Sequence, residues 1–194
     1  MCNNSSSNIK NYQLQPQNSS CPRRYSLLSQ YKFVTGNPNK AREASEILDI
    51  ALEAVKVDVL FEIQTPDIDS VVRHKAEQAY SILQSPVMVE DSGLVFHAWN
   101  GLPGALVKWF EENLGPQGMH QALQNFKNQQ ARAVCCLGYT SDGETIHLFL
   151  GEVEGKIVSP RGSSGFGWDS IFSPEGTQSS FAEMSEEEKG KFSP

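Results

Sequence analysis

From Tyr31 onward the apolar positions follow two alternating spacings, one of strands and one of helices. Tyr31–Thr35 is a short apolar run that predicts a strand, broken at Gly36. Asn37 can cap a helix and Pro38 suits its first turn, so a helix is predicted from there to about Asp49. Val55–Phe61 is β-prone. Ile68, Val71, Val72, Ala76, Ala79, Tyr80 and Leu83 recur at helical spacing and predict an amphipathic helix over Asp67–Leu83. Pro86–Val89 reads as a buried strand that ends at the acidic pair Glu90-Asp91. Two short helices are predicted near 103–113 and 116–126. Arg132–Tyr139 and Thr145–Glu152 form a hairpin pattern around Ser141-Asp142-Gly143. A further strand near Gly155–Val158 leads into a Gly/Ser loop at 159–168. Strands and helices alternate first and hairpins follow. That order predicts one α/β domain with a mixed sheet over residues 31–194.

The chain has 194 residues, enough for one full core. No apolar run approaches the ~18 residues that span a bilayer, so no membrane partner is expected. The net charge of −7 argues against a nucleic-acid binder, which carries a basic face. An acidic chain can still bind a small polyphosphate, provided that lysines or a metal supply local positive charge. Cys135 and Cys136 are adjacent in a strand pattern, so their side chains should face opposite ways. None of the four cysteines is spaced as Cys-x-x-Cys, which suits free thiols in a reducing, cytoplasmic compartment. Residues 1–30 contain no Asp or Glu and are rich in Asn, Ser and Gln. They read as a disordered polar tail. An organellar targeting segment is the alternative, weakened by the low Arg content.

Five constellations bear chemistry, and each also fits an ordinary structural role when taken alone. Thr35-Gly36-Asn37-Pro38-Asn39-Lys40 turns from a strand into a helix N-terminus, where free N–H groups and the dipole attract anions. Lys40 adds charge one turn in. Glu90-Asp91-Ser92-Gly93 puts carboxylates where a buried strand is expected to end, and such oxygens suit Mg²⁺ or a water-activating base. Glu62, in Glu62-Ile63-Gln64, is a candidate second metal ligand. Lys75 interrupts the apolar face of the 67–83 helix and either snorkels to solvent or points into a cleft. Ser163-Ser164-Gly165-Phe166-Gly167-Trp168-Asp169 places two glycines around an aromatic ring, so Phe166 or Trp168 can stack on a base and Asp169 can accept from its edge. A sixth segment, Gly101-Leu102-Pro103-Gly104 with the helix after it, reads mainly as packing or a dimer surface.

Taken together, VTGNPNK (34–40), FEIQ (61–64), VVRHKAEQAY (71–80), VEDSGLVF (89–96), GLPGALVKWF (101–110), PRGSSGFGWDSIF (160–172) and FAEMSEEEK (181–189) are specific. In their order and spacing the chain resembles the inosine triphosphate pyrophosphatase family, which acts on non-standard purine nucleotides. The resemblance implies an elongated mixed sheet with flanking helices and two lobes around a nucleotide-binding cleft. It implies a homodimer, a nucleotide substrate such as ITP, XTP or dITP, and cleavage to the monophosphate and pyrophosphate. Mg²⁺ is the implied cofactor, with Mn²⁺ as the alternative. Carried over by motif, Thr35, Gly36, Asn37, Lys40, Lys75 and Ser92 bind the triphosphate. Glu62 and Asp91 hold the metal, and Asp91 is also the catalytic base. Phe166, Gly167, Trp168, Asp169 and Lys189 form the base site. A lysine can only donate, so Lys189 pairs with a 6-keto oxygen and leaves an adenine amino group unpaired.

The family pattern continues past this segment into a Ser-His-Arg motif and a final helix. Here Lys189 is followed by Gly190, Lys191, Phe192, Ser193 and Pro194, with the proline where the histidine belongs. The expectation from this departure is a domain lacking that last segment, with weaker selectivity or binding. Two alternatives therefore stand beside the enzyme: a weakly active nucleotide-binding relative, and a Maf-like pyrophosphatase of other modified nucleotides.

Overall fold

The computed structural model describes residues 31–192 and 194. The expected disorder of the first 30 residues lies outside them. One seven-stranded mixed sheet organises the chain, in the order β2-β1-β3-β5-β6-β7, with β4 paired to β3. β1 (Lys32–Val34) lies parallel to β2 (Glu53–Val55) and to β3 (Val87–Phe96). The remaining strands, β4 (Pro103–Gly104), β5 (Gln130–Thr140), β6 (His147–Ile157) and β7 (Phe172–Pro174), pair antiparallel. No helix among the described residues is long and apolar enough to cross a membrane.

Helix α1 (Pro38–Leu48) starts where expected. The Asn37 side chain accepts from the Asn39 N–H, and Pro38 fills the first turn. Helix α2 (Ile68–Leu83) is capped by Asp67, whose side chain accepts from the Ser70 N–H. Its buried face is Ile68, Val71, Val72, Ala76 and Ala79, as the periodicity predicts. Helix α3 (Val107–Leu123) is two short helices joined at Gly115, whose φ of 66° and ψ of 171° break the helical path. A last short helix, α4 (Glu186–Gly190), is closed by a capping box between Ser185 and Glu188.

Three strand predictions need correction. The β-prone stretch 55–61 is not a strand: the ladder stops at Val55, because β1 offers partners only to Glu53, Ala54 and Val55. The strand predicted over 86–89 runs on to Phe96, so Glu90 and Asp91 lie in its middle. The segments predicted separately at 145–152 and 155–158 are one strand, β6, paired with β5 from His147 to Lys156. β4 occupies the start of the helix predicted near 103–113, which begins only at Val107, and β7 carried no sequence signal, being short and containing a proline.

Two apolar cores lie along the long strands. One packs α2 against Val34, Val87, Val89, Val134 and Cys136. The other gathers Leu94, Phe96, Met119, Leu123, Phe172 and Phe181. The strand β3 crosses from one to the other, and its polar triplet Glu90-Asp91-Ser92 is half-buried between them. On the edge of β3 facing β1, pairing with β1 ends at Val89 and pairing with β4 begins at Leu94. A slot about four residues long is thus left in the sheet at Glu90–Gly93.

The close approach of α2 to the sheet depends on Gly138. A Cβ there would meet Val72 Cγ1 at 2.6 Å, and Val72 is fully buried. Gly138→Ala is expected to lower the unfolding free energy by about 2 kcal/mol, through overpacking against a β-branched neighbour. Urea denaturation with an unchanged m-value would measure it.

Candidate active site

The loop after β1 brings the first group of residues to the slot. Thr35 Oγ1 accepts from the Asn37 N–H at 3.0 Å, and Asn37 Oδ1 accepts from the Asn39 N–H at 3.0 Å. These bonds hold the turn at Gly36 and aim the first turn of α1 toward β3. Lys40 crosses to the strand. Its Nζ lies 3.1 Å from Glu90 Oε2 and 3.6 Å from Asp91 Oδ1. Burial pulls the Lys40 ammonium down most strongly as a single influence, but Glu90 and Asp91 together outweigh it and hold its pKa above the ordinary lysine value.

Successive residues of a strand face opposite ways, and the acidic pair uses this. Glu90 and Ser92 line a cavity of about 210 Å³ on the side of α1. Asp91 lines a separate recess of about 80 Å³, together with Glu62, Gln64, Lys108 and Trp109. Of the two readings open for Lys75, the structure takes the cleft. Its Nζ lies 2.7 Å from Glu62 Oε1 and 3.4 Å from Asp91 Oδ2, and it donates to the Glu90 carbonyl at 3.4 Å. Two carboxylates therefore share one cation beside the gap in strand pairing.

The larger cavity continues past Phe33, Ile47, Leu48 and Leu137 to the second group of motif residues. Gly165 and Gly167 take positive φ angles of 78° and 63°, so the 163–169 segment doubles back on itself. Asp169 is buried, and its Oδ2 accepts from Lys189 at 2.9 Å and from the Phe166 N–H at 3.0 Å. That oxygen is thus spent within the protein, which makes Asp169 an anchor for Lys189 before it can be a reader of any base edge. Lys189 Nζ also sits 4.8 Å from the centroid of the Phe166 ring and 3.1 Å from Glu43 Oε1. Trp168 lines the cavity but rests on Phe172 and Phe181, with ring centroids 5.7 and 6.3 Å away.

Two participants were absent from the sequence-derived set. Glu43 lines the cavity and pairs with Lys189. It stands three residues after Lys40 on α1, a spacing that places both on one helix face and could have revealed it. Glu90, weighed only as half of an acidic pair, is the nearer partner of Lys40. The Cys135 thiol also donates to Glu90 Oε1, at 3.3 Å. Cys136 is buried on the opposite face, as strand alternation predicts.

An open mixed-sheet α/β protein results, with a lysine–carboxylate cluster at the slot beside β3 and an aromatic pocket in the cavity that Lys40 and Glu90 also line. Residues 31–194 match the family model described as Ham1 family, and the chain belongs to that family. It is 46% identical over 166 residues to inosine triphosphate pyrophosphatase 2 of Trypanosoma cruzi (strain CL Brener), covering 84% of each chain. It is 43% identical over 169 residues to the inosine triphosphate pyrophosphatase of Schizosaccharomyces pombe, covering 86% of this chain and 89% of that one. Among solved structures, a HAM1 protein from Coxiella burnetii superposes with a TM-score of 0.73 at 25% identity, covering 84% of this chain and 91% of that one. A nucleoside-triphosphatase, dITP/XTP pyrophosphatase, from Mycobacterium abscessus superposes with a TM-score of 0.64 at 26% identity, covering 82% and 92%.

Two outcomes follow from the charge cluster. Lys40→Met leaves Glu90 and Asp91 short of a cation and should destabilise the protein by about 3 kcal/mol, measured by chemical denaturation. Burial, then Glu90, raises the Cys135 pKa, and burial, then Asp69, pushes Cys136 up to about 12. Both thiols should therefore resist iodoacetamide in the native protein at about pH 8 and react once it is unfolded, as read by peptide mass mapping.

Proposed function

We propose that this chain hydrolyses non-standard purine nucleoside triphosphates, such as ITP, XTP and their deoxy forms, to the monophosphate and pyrophosphate. The observation that carries the reading is the charge cluster at the slot beside β3 and its link to the aromatic pocket. Lys40, Lys75, Glu62 and Asp91 meet at the slot, and Lys40 also lines the larger cavity that holds Phe166 and Lys189. The inosine triphosphate pyrophosphatases among its relatives support the same substrate class.

In this reading Lys40, with the turn formed by Thr35, Gly36 and Asn37, neutralises and orients the polyphosphate. Ser92 lines the same cavity beside Glu90. Phe166 offers a face for the purine, and Gly167 and Trp168 shape the wall around it. Lys189 is already held by Asp169 and Glu43, so a 6-keto oxygen can exchange with a carboxylate as acceptor. An adenine amino group cannot. GTP carries the same 6-keto oxygen, so this contact alone does not separate it from ITP.

The residues also fit a divalent cation. Glu62 and Asp91 already hold one positive group between them, that of Lys75. No group of three or more His, Cys, Asp or Glu is arranged for a metal among the described residues. Mg²⁺ suits such a site, because it takes one or two carboxylates and completes its shell with phosphate oxygens and water. Mn²⁺ takes the same oxygen donors. Bound there, the ion would neutralise charge on the phosphates and make water more acidic. Asp91 is the proposed base. Water oxygen bonds to the α-phosphorus, the bond from that phosphorus to the bridging oxygen breaks, pyrophosphate leaves, and the water proton passes to the Asp91 carboxylate.

The reading extends to a cytoplasmic homodimer. Cys135 and Cys136 are free, which suits a reducing compartment. Leu102, Trp109 and Leu114 are exposed on the surface that begins at the 101–104 turn, and sedimentation at twice the chain mass is the outcome expected.

With ITP and Mg²⁺, pyrophosphate should be the product, and orthophosphate alone would refute the proposal. Asp91→Asn should lower kcat at least 100-fold, within the range removed with a general base (~10²–10⁴). Lys189→Met should lower the ratio of kcat/KM for ITP over ATP by about tenfold or more, since a hydrogen bond to charge contributes ~1.5–3 kcal/mol.

A further inference from the structure

Glu62 lies in the connection between β2 and α2, outside any strand or helix. The side chains around it do little to hold it. Phe61 is 77% exposed and Ile63 is 37% exposed, so burial does not anchor the connection at this point. Yet Glu62 reaches Lys75 at 2.7 Å, one of the closest ion pairs in the cleft.

Gln78 supplies the missing anchor. Its Oε1 accepts from the Phe61 N–H at 3.1 Å, and its Nε2 donates to the Phe61 carbonyl at 2.6 Å. One amide thus satisfies both backbone groups of the residue preceding Glu62, as a neighbouring strand would. The amide orientation is determined by that pairing, and its second N–H then points to His74 Nδ1 at 2.7 Å, which must accept. His74 and Gln78 stand four residues apart on α2, and Lys75 precedes Gln78 by three, so all three share one side of the helix. Further along, the Gln64 side chain donates to the Glu62 carbonyl and accepts from the Trp109 indole.

We propose that Gln78 is a positioning residue: its paired hydrogen bonds to Phe61, oriented by His74, set Glu62 opposite Asp91 for cation binding. The proposal rests on the reading of Glu62 as a metal ligand. Partners behind a ligand commonly change metal affinity ~10–100-fold when removed, although they never touch the ion.

The test is Mn²⁺ binding to the full chain, with the α,β-imido analogue of ITP present to prevent turnover. Loss of the EPR signal of the free aqueous ion, beyond that caused by the analogue alone at the same concentration, reports binding to the protein. Gln78→Ala should raise the Mn²⁺ dissociation constant about tenfold, with a melting temperature close to that of the parent chain. Gln78→Glu keeps an acceptor for the Phe61 N–H but loses both donors, and it should weaken binding as well. It serves as the second variant if Gln78→Ala does not fold. Glu62→Gln, run in parallel, separates the two levels. If Glu62→Gln weakens Mn²⁺ binding and neither Gln78 variant does, the positioning role is overturned and the ligand reading survives. If Glu62→Gln leaves binding unchanged, the ligand reading fails and the proposal falls with it.

Discussion

The cleft depends on a strand that must carry two carboxylates through the interior of a sheet. Isolated charges at that depth are costly, and neighbouring cations offset the cost. Here the cations come from two helices. Lys40 reaches Glu90 and Asp91 from α1, and Lys75 reaches Asp91 from α2. The gap between β1 and β4 gives these side chains room, because no strand among the described residues lies beside Glu90–Gly93 on that edge. A regular ladder at this point would close the route by which Lys75 reaches the Glu90 carbonyl. The interruption in pairing, the polar triplet in β3 and the two helix-borne lysines are therefore one arrangement.

The aromatic pocket around Lys189 is built by a different rule. Lys189 is surrounded by Asp169, Glu43 and the faces of Phe166 and Phe181. Burial is the largest single influence on it and acts downward, but the two carboxylates prevail and raise its pKa. The group is therefore a fixed cation at neutral pH. Around it Trp168, Phe172 and Phe181 pack ring against ring, which makes the pocket wall an extension of the larger core. A rigid wall and a fixed donor are what discrimination between a keto oxygen and an amino group requires.

Much of this was legible in the sequence, and the failures have physical reasons. The first helix was readable from its cap and proline, and the second from its 3.6-residue period. The aromatic-glycine loop and the TGNPNK turn were readable as turns because glycines and a proline interrupt the apolar pattern there. β3 was cut short because Glu90-Asp91-Ser92 looks like the end of a strand when its pairing is unknown. β6 was split by the stretch around Glu152, although pairing with β5 carries straight through it. Glu43 was missed because a glutamate on a helix reads as solvated, and only the position of Lys189 gives it a partner. Gln78 lies within VVRHKAEQAY, but that segment alone gave it no role: its role comes from the connection that folds back over α2.

The cleft is also assembled from partners far apart along the chain. Lys40 finds Glu90 across 50 residues, and Lys189 finds Glu43 across 146. The β5–β6 hairpin, by contrast, pairs neighbours and can form locally. During synthesis the hairpin can therefore precede the aromatic pocket, whose clamp cannot exist until Lys189 has left the ribosome. A nascent chain carrying α1, α2 and β3 can gather the charges around Glu90 and Asp91 well before it acquires the clamp proposed to tell one purine from another.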